Sequence, residues 1–292
     1  MDFKKITLED KVLFKKYITK DDIGWEYNFA TLYLWDVNDT MMCCERNDML
    51  LIYNIFNSGV VFMPPYLKNK SDFLSAVEAV SEYAHSKKIK YCIRGLTESQ
   101  ANMLDSDKYF MRSNRDDSDY IYLSDDLKRL EGKAFHSKRN FVTRFTKTYD
   151  YELKDYEPGD YDGIMRLYDT WEVDSSHSTL ALERSAISRA LKFSTELDLK
   201  ISVLKVHGKY VGFSVSSLES NGVVHTIFEK ADTSYIGIYQ ALNKLSAEKY
   251  FPDGVLVNRQ EDMGIEGLRK AKLSYNPVKL LDKYFVGECA GD

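Results

Sequence analysis

The chain has 292 residues, which is enough for one large domain or for two domains of about 150 residues each. Its composition, 44% hydrophobic and 29% charged, is that of a soluble globular protein and excludes the disordered and fibrous classes. The formal net charge of −5 excludes an overall polycation, so any surface for nucleic acid has to be local.

Neither a membrane span nor an export signal is predicted. No run of about 18 uncharged apolar residues occurs, and no apolar run follows the polar N-terminal segment. The four cysteines, Cys43, Cys44, Cys92 and Cys289, lack the paired spacing of a metal site or of a disulfide framework. We therefore expect reduced cysteines, no bound metal and a cytoplasmic location.

The first half of the chain begins with a predicted helix over 7–20, followed by an aromatic-rich stretch at 29–35 that fits either a helix or a strand. Two apolar runs, 49–56 and 60–63, are separated by Asn57-Ser58-Gly59, which is typical of a hairpin turn. A helix begins near residue 71, with apolar positions 73, 74, 77, 80 and 84 on one face. Strands at 89–93 and 120–123 enclose a short helix at 97–104.

The second half repeats this order. Three strands are predicted at 199–206, 210–218 and 223–228, followed by a helix at 236–250, a strand at 255–257, a short helix at 264–271 and a strand at 280–286. Helix and strand alternation by coincidence is the simpler explanation, but the repeated order favours two copies of one α+β unit. We expect the first unit to span 1–127 and the second 128–292.

A basic segment joins the two halves. Residues 128–147 contain seven Lys or Arg and one acidic residue, a local charge of +6, so the rest of the chain sums to −11. As a helix over 130–147 it is amphipathic. The apolar side holds Leu130, Ala134, Phe135, Phe141, Val142 and Phe145, and the polar side holds Lys133, His136, Arg139, Asn140, Arg144 and Lys147.

Lys138 breaks this pattern because it projects into the apolar side of the helix. A buried ammonium is costly unless it meets an opposite charge. It either pairs with a core carboxylate, extends past Phe141 to water, or faces a cleft that takes an anionic ligand. The cationic side of the helix is either a solvated surface or a binding surface for phosphate, tRNA or anionic lipid head groups.

A second polar cluster follows the strand at 255–257. Asn258-Arg259-Gln260-Glu261-Asp262 lies between this strand and a helix flanked by glycines. Arg259 can pair with a carboxylate or phosphate, and the two acids are candidate bases, unless they simply cap the helix. Ser234 and Gly237, at the start of the 236–250 helix, offer amides to a phosphate, although capping alone also explains this sequence.

Two stretches carry a family resemblance: LEGKAFHSKRNF at 130–141, and NRQEDMG at 258–264 continuing to LRKAKLSYNP at 268–277. In this order and spacing they resemble the phosphatidylglycerol lysyltransferase C-terminal-like family, also catalogued as domain of unknown function 2156. The resemblance covers nearly the whole chain. It implies an α+β fold of two tandem acetyltransferase-like (GNAT) units, each a mixed, mostly antiparallel sheet flanked by helices.

The family and the similar Fem peptidyltransferases move an amino acid from aminoacyl-tRNA to a lipid or a peptidoglycan precursor. The lipid enzymes carry a multi-helix membrane portion that we do not find here, which leaves the lipid acceptor open, with a peripheral membrane contact as one option. An ordinary acetyltransferase has a Gln/Arg-x-x-Gly-x-Gly/Ala loop for coenzyme A. The corresponding place, 233–238, reads TSYIGI, a degraded match that weakens acetyl-coenzyme A as donor.

The expected activity is acyl-group transfer, with aminoacyl-tRNA as donor and an amine or hydroxyl as acceptor, at a site around 228–230 and 257–259. One alternative is an acyl-coenzyme A-dependent N-acyltransferase, and another is a non-catalytic RNA- or anion-binding module. The first unit, with Arg94-Gly95-Leu96 in the matching place, is expected to be the structural or acceptor-side half. Candidate catalytic residues are Glu229, Glu261 and Asp262 as proton acceptors, with Tyr235 and Tyr275 as proton donors. Candidate donor-binding residues are Lys138, Arg139, Asn140, Asn258, Arg259, Ser234, Gly237, Arg269 and Lys272.

Overall fold

The computed structural model of the chain describes residues 1–56, 59–173 and 180–288. The predicted turn at 57–58 and Cys289 lie outside these residues. The chain divides into two compact units: Met1–Asp119, Glu261–Arg269 and Leu280–Asp292 form unit 1, and Tyr120–Gln260 and Lys270–Lys279 form unit 2. This division differs from the predicted break after residue 127, because the C-terminal segments contribute to both units.

Unit 1 is built on a sheet in the order β1-β2-β3-β4-β6-β15-β7, with β5 also paired to β3. Only β4 and β6 run parallel among these strands. Its elements are β1 (Lys4–Lys5), α1 (Lys11–Lys15), α2 (Phe29–Trp35), β2 (Met41–Arg46), β3 (Met49–Phe56), β4 (Gly59–Phe62), β5 (Tyr66–Leu67), α3 (Phe73–Lys87), β6 (Tyr91–Leu96), α4 (Glu98–Ala101), β7 (Tyr109–Ser113) and β15 (Tyr284–Glu288).

Unit 2 contains the second sheet, in the order β14-β8-β13-β12-β11-β10-β9. Its central strands are antiparallel except for the β12–β13 pair. The remaining elements in chain order are β8 (Asp119–Leu123), α5 (Ser124–Arg129), α6 (His136–Thr148), β9 (Tyr151–Asp155), α7 (Tyr161–Val173), α8 (Leu180–Lys192), β10 (Lys200–Val206), β11 (Lys209–Leu218), β12 (Val224–Ala231), α9 (Ile238–Tyr250), β13 (Leu256–Asn258), α10 (Glu266–Leu273) and β14 (Lys279–Leu281).

The last strand of each predicted half lies in the sheet of the other half. β8 pairs with β13 of the second sheet, whereas β15 is inserted between β6 and β7 of the first. The sequence order therefore repeats, but the strands do not stay within consecutive halves.

Several local predictions differ from the structure. The helix predicted over 7–20 is reduced to a short 3-10 turn and α1. Leu74, expected on the buried face of α3, is 48% exposed, and Ala76 is buried instead. β2, β7, β9, α7 and α8 were not predicted from the sequence.

A buried ion cluster holds three segments of unit 1 together. The Lys283 ammonium lies 2.7 Å from an Asp119 oxygen and 3.0 Å from a Glu26 oxygen, and all three side chains are at most 1% exposed. Gly95 adopts a φ of +83°, and a Cβ there would lie 2.8 Å from the Glu26 carboxyl group. Glycine at this position therefore makes room for the cluster and allows the positive φ within β6.

Among the described residues, no helix combines the length and the apolar character needed to cross a bilayer.

Candidate functional site

The second sheet opens between β12 and β13. These strands pair in parallel only at Val224 with Val257 and at His225 with Asn258, after which β12 continues to Ala231 while β13 ends. β12 also pairs with β11 on its other side. In that pair the register shifts by one residue of β12 between Val215 and Ser216 of β11. A bulge of this kind bends the strand and leaves backbone groups outside the ladder. The result is a gap lined by β12 from Thr226 onward and by the residues after β13.

An ion pair lies at this gap. The Nη2 atom of Arg259 donates to both carboxylate oxygens of Glu229, at 3.2 and 3.3 Å. Asn243, on α9, donates its side-chain N–H to the same carboxylate at 3.3 Å. The Glu229 and Arg259 side chains are only 11% and 12% exposed. Burial lowers the pKa of Arg259, but Glu229, together with Tyr122 and Tyr275, raises that pKa above its ordinary value.

A second cation, Lys138, stands beside this pair. Its ammonium lies over the Tyr275 ring at 4.5 Å from the centroid, and the Arg259 guanidinium lies over the same ring at 5.1 Å. No carboxylate of the described residues lies within ion-pair distance of Lys138, so the expected alternative of a core carboxylate partner is wrong. The site therefore contains two cations and one carboxylate, an excess of positive charge that suits an anionic group.

Three buried polar atoms at the gap have no hydrogen-bond partner in the described part of the chain. They are Nη1 of Arg259, Oδ1 of Asn243 and Oγ1 of Thr226, the first residue of β12 beyond its pairing with β13. Buried polar groups are nearly always bonded, so unpartnered ones beside the Glu229 ion pair indicate a site for a water or a ligand. The first is a donor, the second an acceptor and the third both. Together they fit a ligand that carries a carbonyl or phosphate oxygen next to an N–H or O–H group.

Lys138 is expected to titrate below the usual range of a lysine. Its half-buried position, and next to that the positive charge of Arg259, lowers the pKa of its ammonium. Arg259→Gln should therefore raise the pKa of Lys138, because the like charge is removed. The measurement is the pH dependence of acetic anhydride labelling at Lys138, followed by mass spectrometry. The control variant is Arg166→Gln, on the exposed side of α7, and an unchanged profile in Arg259→Gln would contradict the assignment.

The basic helix begins later than predicted. Leu130 ends α5 in a left-handed conformation with a φ of +50°, and Gly132 has a φ of +82°. Since two left-handed residues cannot lie within an α-helix, α6 begins at His136 and the prediction of a helix from 130 is wrong. Ala134 and Phe141, expected on the apolar side, are both exposed.

Two of the predicted donor-binding residues on α6 have local partners. Arg139 donates to the backbone carbonyls of Leu130 and Gly132, the latter at 2.7 Å, and so closes the turn that precedes the helix. Asn140 is exposed and lies 3.2 Å from the ring nitrogen of His136. Lys138 is therefore the predicted residue of this helix that reaches the site at the gap.

The loop that corresponds to a coenzyme A phosphate cradle, at 233–238, has most of its amides engaged. The backbone N–H of Ser234 donates to the Asp232 side chain, and that of Ile236 donates to the Tyr149 hydroxyl at 3.2 Å. The N–H groups of Tyr235 and Ile238 donate to the backbone carbonyls of Asp232 and Tyr235. These amides are taken by the protein itself, which leaves little to hold a pyrophosphate.

Gly237 cannot be replaced without strain. It has a φ of +85°, and a Cβ there would collide with the backbone carbonyl of Phe141. Gly237→Ala should lower the free energy of unfolding by about 1–2 kcal/mol for the left-handed backbone, plus about 1–3 kcal/mol for the collision. Gly222→Ala is the matched control, because its φ is also +85° but nothing lies within 4 Å of its Cβ position. Equal losses in urea unfolding would contradict the close approach of Phe141.

The remaining predicted residues of unit 2 bind the backbone or pack against other side chains. Asn258 is fully buried and accepts from the N–H of Gln260 at 2.7 Å. Lys272, 9% exposed, donates to the carbonyl oxygens of Arg259 and Gln260 at 2.7 and 3.2 Å. The Tyr235 ring packs edge-on against Tyr149. Lys272 and Asn258 thus hold the chain that carries Arg259 in position.

Three predicted residues belong to unit 1. Asp262 is fully buried and accepts from Arg269 at 2.7 and 2.9 Å, and Arg115 lies 3.4 Å away. Arg269 also binds Asp116 at 2.6 Å. Glu261 lies 3.6 Å from Arg94. Asp262 and Arg269 therefore form a structural clamp within unit 1, with Asp262 bonding the Gly264 N–H before α10.

Two polar residues at the gap, Asn243 and Thr226, were missed in the sequence. Asn243 has a recognisable signal, because it interrupts the buried face of α9 between Leu242 and Ser246, much as Lys138 interrupts an apolar side. Thr226 has none, since a threonine within a strand is ordinary. Within the described ranges no group of three or more His, Cys, Asp or Glu side chains is placed to hold a metal ion.

Comparison with known proteins supports both the fold and the family. The model of the family described as phosphatidylglycerol lysyltransferase, C-terminal, matches residues 21–287. A conserved protein of unknown function from Bacteroides thetaiotaomicron is 30% identical, with a TM-score of 0.88 over 99% of this chain and 100% of that chain. L-PGS from Bacillus licheniformis is 14% identical, with a TM-score of 0.69 over 98% and 92% of the two chains.

FemX is 10% identical, with a TM-score of 0.67 over 99% of this chain and 98% of its own. At these identities, L-PGS and FemX show the fold alone. The predicted α+β fold of two tandem acetyltransferase-like units is confirmed by these structures and by a tandem GNAT protein. Because the family model covers nearly the whole chain, the protein belongs to the phosphatidylglycerol lysyltransferase C-terminal family.

Proposed function

We propose that unit 2 transfers an aminoacyl group from an aminoacyl-tRNA ester to an amine or hydroxyl acceptor, at the gap between β12 and β13. The observation that carries the proposal is the cluster of Glu229, Arg259 and Asn243, whose unpartnered donor and acceptor atoms complement an aminoacyl ester. The ester presents a carbonyl oxygen to Nη1 of Arg259 and an ammonium to Oδ1 of Asn243. The family description, which names transfer of a lysyl group to phosphatidylglycerol, supports the same class of reaction.

The reaction needs one bond formed, one bond broken and one proton moved. The acceptor nitrogen or oxygen attacks the ester carbonyl carbon, and the bond from that carbon to the ribose oxygen breaks. The proton lost by the acceptor passes to Glu229, and the ribose oxygen leaves with a proton from Tyr275 or from water. Arg259 stabilises the negative charge that develops on the carbonyl oxygen, in a buried place where such a donor has its largest effect.

Lys138 and Tyr275 have supporting roles in this proposal. The Lys138 ammonium takes the terminal phosphate of the donor strand, because it has no carboxylate partner among the described residues. Burial raises the pKa of the Tyr275 phenol, so this group keeps its proton at neutral pH and is available as a proton donor. Tyr235, which packs against Tyr149 near the start of α9, remains a second candidate for this step.

A tRNA ester is favoured over an acyl-coenzyme A donor by the state of the 233–238 loop. Its amides bind Asp232, Tyr149 and backbone carbonyls, and Phe141 lies against Gly237 where a pyrophosphate would approach. The hypothesis of an acyl-coenzyme A donor therefore lacks the loop with free amides that an ordinary acetyltransferase uses to hold the cofactor.

Label transfer tests the proposal directly. The protein is incubated with tRNA pools charged with labelled amino acids, or with labelled acyl-coenzyme A, in the presence of phosphatidylglycerol vesicles, a primary amine or glycerol. We expect label to move from tRNA in the wild type and in Glu248→Gln, an exposed control on α9, but not in Glu229→Gln. Transfer from acyl-coenzyme A alone would support the alternative donor. Binding of RNA without transfer from any donor would show a non-catalytic module and overturn the proposal.

A further inference from the structure

One face of the first sheet is partly open where β6, β15 and β7 lie side by side. Successive side chains of a strand point to opposite faces, and Ile93, Met111 and Val286 pack in or against the core of unit 1. The opposite face therefore carries the residues next to them in sequence, which are Arg94 on β6, Phe285 on β15, and Phe110 and Arg112 on β7. This face ends at β7, the last strand of the sheet, where both Phe110 and Arg112 are exposed.

The Phe110 ring presents an aromatic surface to solvent. Phe110 and Gly287 are paired across β7 and β15, and a Cβ at Gly287 would lie 2.7 Å from two carbons of the Phe110 ring. The ring thus rests on the backbone of β15, where a side chain would otherwise stand. Phe110 is still 47% exposed, so the outer part of its ring is available to a second planar group, which stacks well on an aromatic ring.

Arginines and rings alternate across the same face. The Cζ atom of Arg94 lies 5.3 Å from the centroid of the Trp25 ring and 5.4 Å from that of the Phe285 ring. The Cζ atom of Arg112 lies 5.3 Å from the same Phe285 centroid, and these two residues are paired in register. Contacts of this kind hold a guanidinium in place without neutralising its charge. Arg112 is therefore the outer member of this stack, and Phe285 fixes its orientation.

The two arginines differ in their charge partners. The Nη2 atom of Arg94 lies 3.4 Å from an Asp117 oxygen and 3.6 Å from a Glu261 oxygen. Arg112 has no carboxylate within ion-pair distance among the residues that the structure describes. The unneutralised positive charge of this face thus lies at Arg112, beside the exposed ring. A planar fork of donors with a free charge is suited to a phosphate.

From this geometry we infer that unit 1 binds a nucleoside monophosphate, with the base stacked on Phe110 and the phosphate bound by Arg112. Phe110 and Arg112 are two residues apart on one strand, so their Cα atoms are about 7 Å apart. That separation is close to the reach from the base of a nucleotide to its own 5′-phosphate. We call Phe110, Arg112, Phe285 and Gly287 the β7 surface.

A single nucleotide fits the β7 surface better than an RNA strand does. Proteins that hold single-stranded RNA place cations along its backbone and rings under successive bases. Within the described residues, the β7 surface offers one exposed ring, Phe110, and one unneutralised arginine, Arg112. Asp117 and Glu261 stand at the Arg94 end of the stack, where their negative charge repels the phosphate of a second nucleotide. One base with one phosphate is therefore the ligand that this chemistry supports.

The β7 surface goes beyond the proposed transfer reaction and does not depend on it. It lies in unit 1, and binding of a mononucleotide needs neither a donor nor turnover. Nucleotide binding here and label transfer by unit 2 therefore succeed or fail separately.

NMR titration of the full chain, with saturation-transfer difference spectra, tests the inference. The probes are AMP, adenosine and ribose 5-phosphate, which carry the base and the phosphate together or one of them alone. We expect AMP to bind with a Kd on the order of 1 mM and at least about fivefold tighter than either fragment. Because the base is the stacked part, its protons should receive the largest saturation.

Two variants separate the ring from the charge. Phe110→Leu keeps an apolar cover on Gly287 but removes the π surface, so AMP and adenosine should bind about fivefold to tenfold more weakly while ribose 5-phosphate is unchanged. Arg112→Gln removes the charge, so AMP should lose about tenfold in affinity while adenosine binds as it does to the wild type.

The matched controls are Phe56→Leu and Arg46→Gln, which change an exposed phenylalanine on β3 and an exposed arginine on β2 of the same sheet. Both should bind AMP like the wild type, and thermal melts establish that each variant is folded. Equal affinity of the wild type for AMP and adenosine, or an equal loss in the controls, would overturn the inference. So would a short oligoadenylate that binds more than about tenfold tighter than AMP and weakens in Phe110→Leu and Arg112→Gln, because the surface would then serve RNA.

Discussion

Lys283→Met should lower the free energy of unfolding by about 3–5 kcal/mol, the cost of removing one partner from a buried ion pair. The Lys283 ammonium is the cation between Glu26 and Asp119, and all three side chains are at most 1% exposed. Without it, two carboxylates are left in a site that water does not reach. Urea unfolding at pH 7 measures the loss, with Lys68→Met as control. Lys68 binds Asp48 at 2.5 Å, but both are exposed, so about 0–1 kcal/mol is expected there.

The loss of unfolding free energy in Lys283→Met should depend on pH. Burial raises the pKa of the Glu26 carboxyl to about 7, although Lys283 opposes this rise. A raised carboxyl pKa means that stability falls as pH rises through that value, because the folded state then loses a proton that it held. The deficit of Lys283→Met should therefore be larger at pH 8 than at pH 5, and Glu26→Gln/Lys283→Met should recover part of it. A small, pH-independent deficit would contradict the buried cluster.

Arg259→Lys should reduce label transfer on the order of 10²-fold, the usual effect of removing a donor to the developing oxyanion. Lysine keeps the positive charge for Glu229 but lacks the second nitrogen of the guanidinium fork, which here is the unpartnered Nη1. The charge pair persists, so the protein should remain folded while the rate constant of the chemical step falls. The measurement is single-turnover transfer at saturating donor.

Arg166→Lys is the control for this variant, since Arg166 is exposed on α7 of the same unit. It should transfer at the wild-type rate. Full activity in Arg259→Lys would show that Nη1 does not contact the reacting group, and the roles proposed for the gap would have to be reassigned.

Parts of the site could be predicted because a residue violated a local pattern. Lys138 stands out on an apolar side, and in the structure it reaches the Tyr275 ring. Glu229 and Arg259 were predicted to lie at one site, around 228–230 and 257–259, and they meet because β12 and β13 are neighbouring parallel strands. By contrast, Glu261 and Asp262 lie only two and three residues after Arg259, yet they fold with unit 1. Proximity in sequence could not reveal this, because the chain leaves unit 2 after Gln260, which has a left-handed φ of +57°.

Two α+β units followed from the repeated order, and their acetyltransferase-like fold from the family resemblance, but neither gave the strand pairing. Pairing of β15 between β6 and β7 joins residues far apart in sequence, and no local pattern specifies such a partner. The start of α6 was missed for a local reason. A helical wheel counts only which side chains share a face, so it cannot detect that Leu130 ends the preceding helix in a left-handed turn.

The position of β15 has a consequence for how the protein is made. β15 is an interior strand of the first sheet and is bonded on both edges, to β6 and to β7. During synthesis, β1 to β7 are made long before β15, so the first sheet keeps an unpaired position between β6 and β7 until β15 emerges from the ribosome. Every strand of the second sheet is made before β15, so the first sheet is the last to be completed. Pulse-labelled nascent chains should accordingly acquire protease resistance in unit 2 before unit 1.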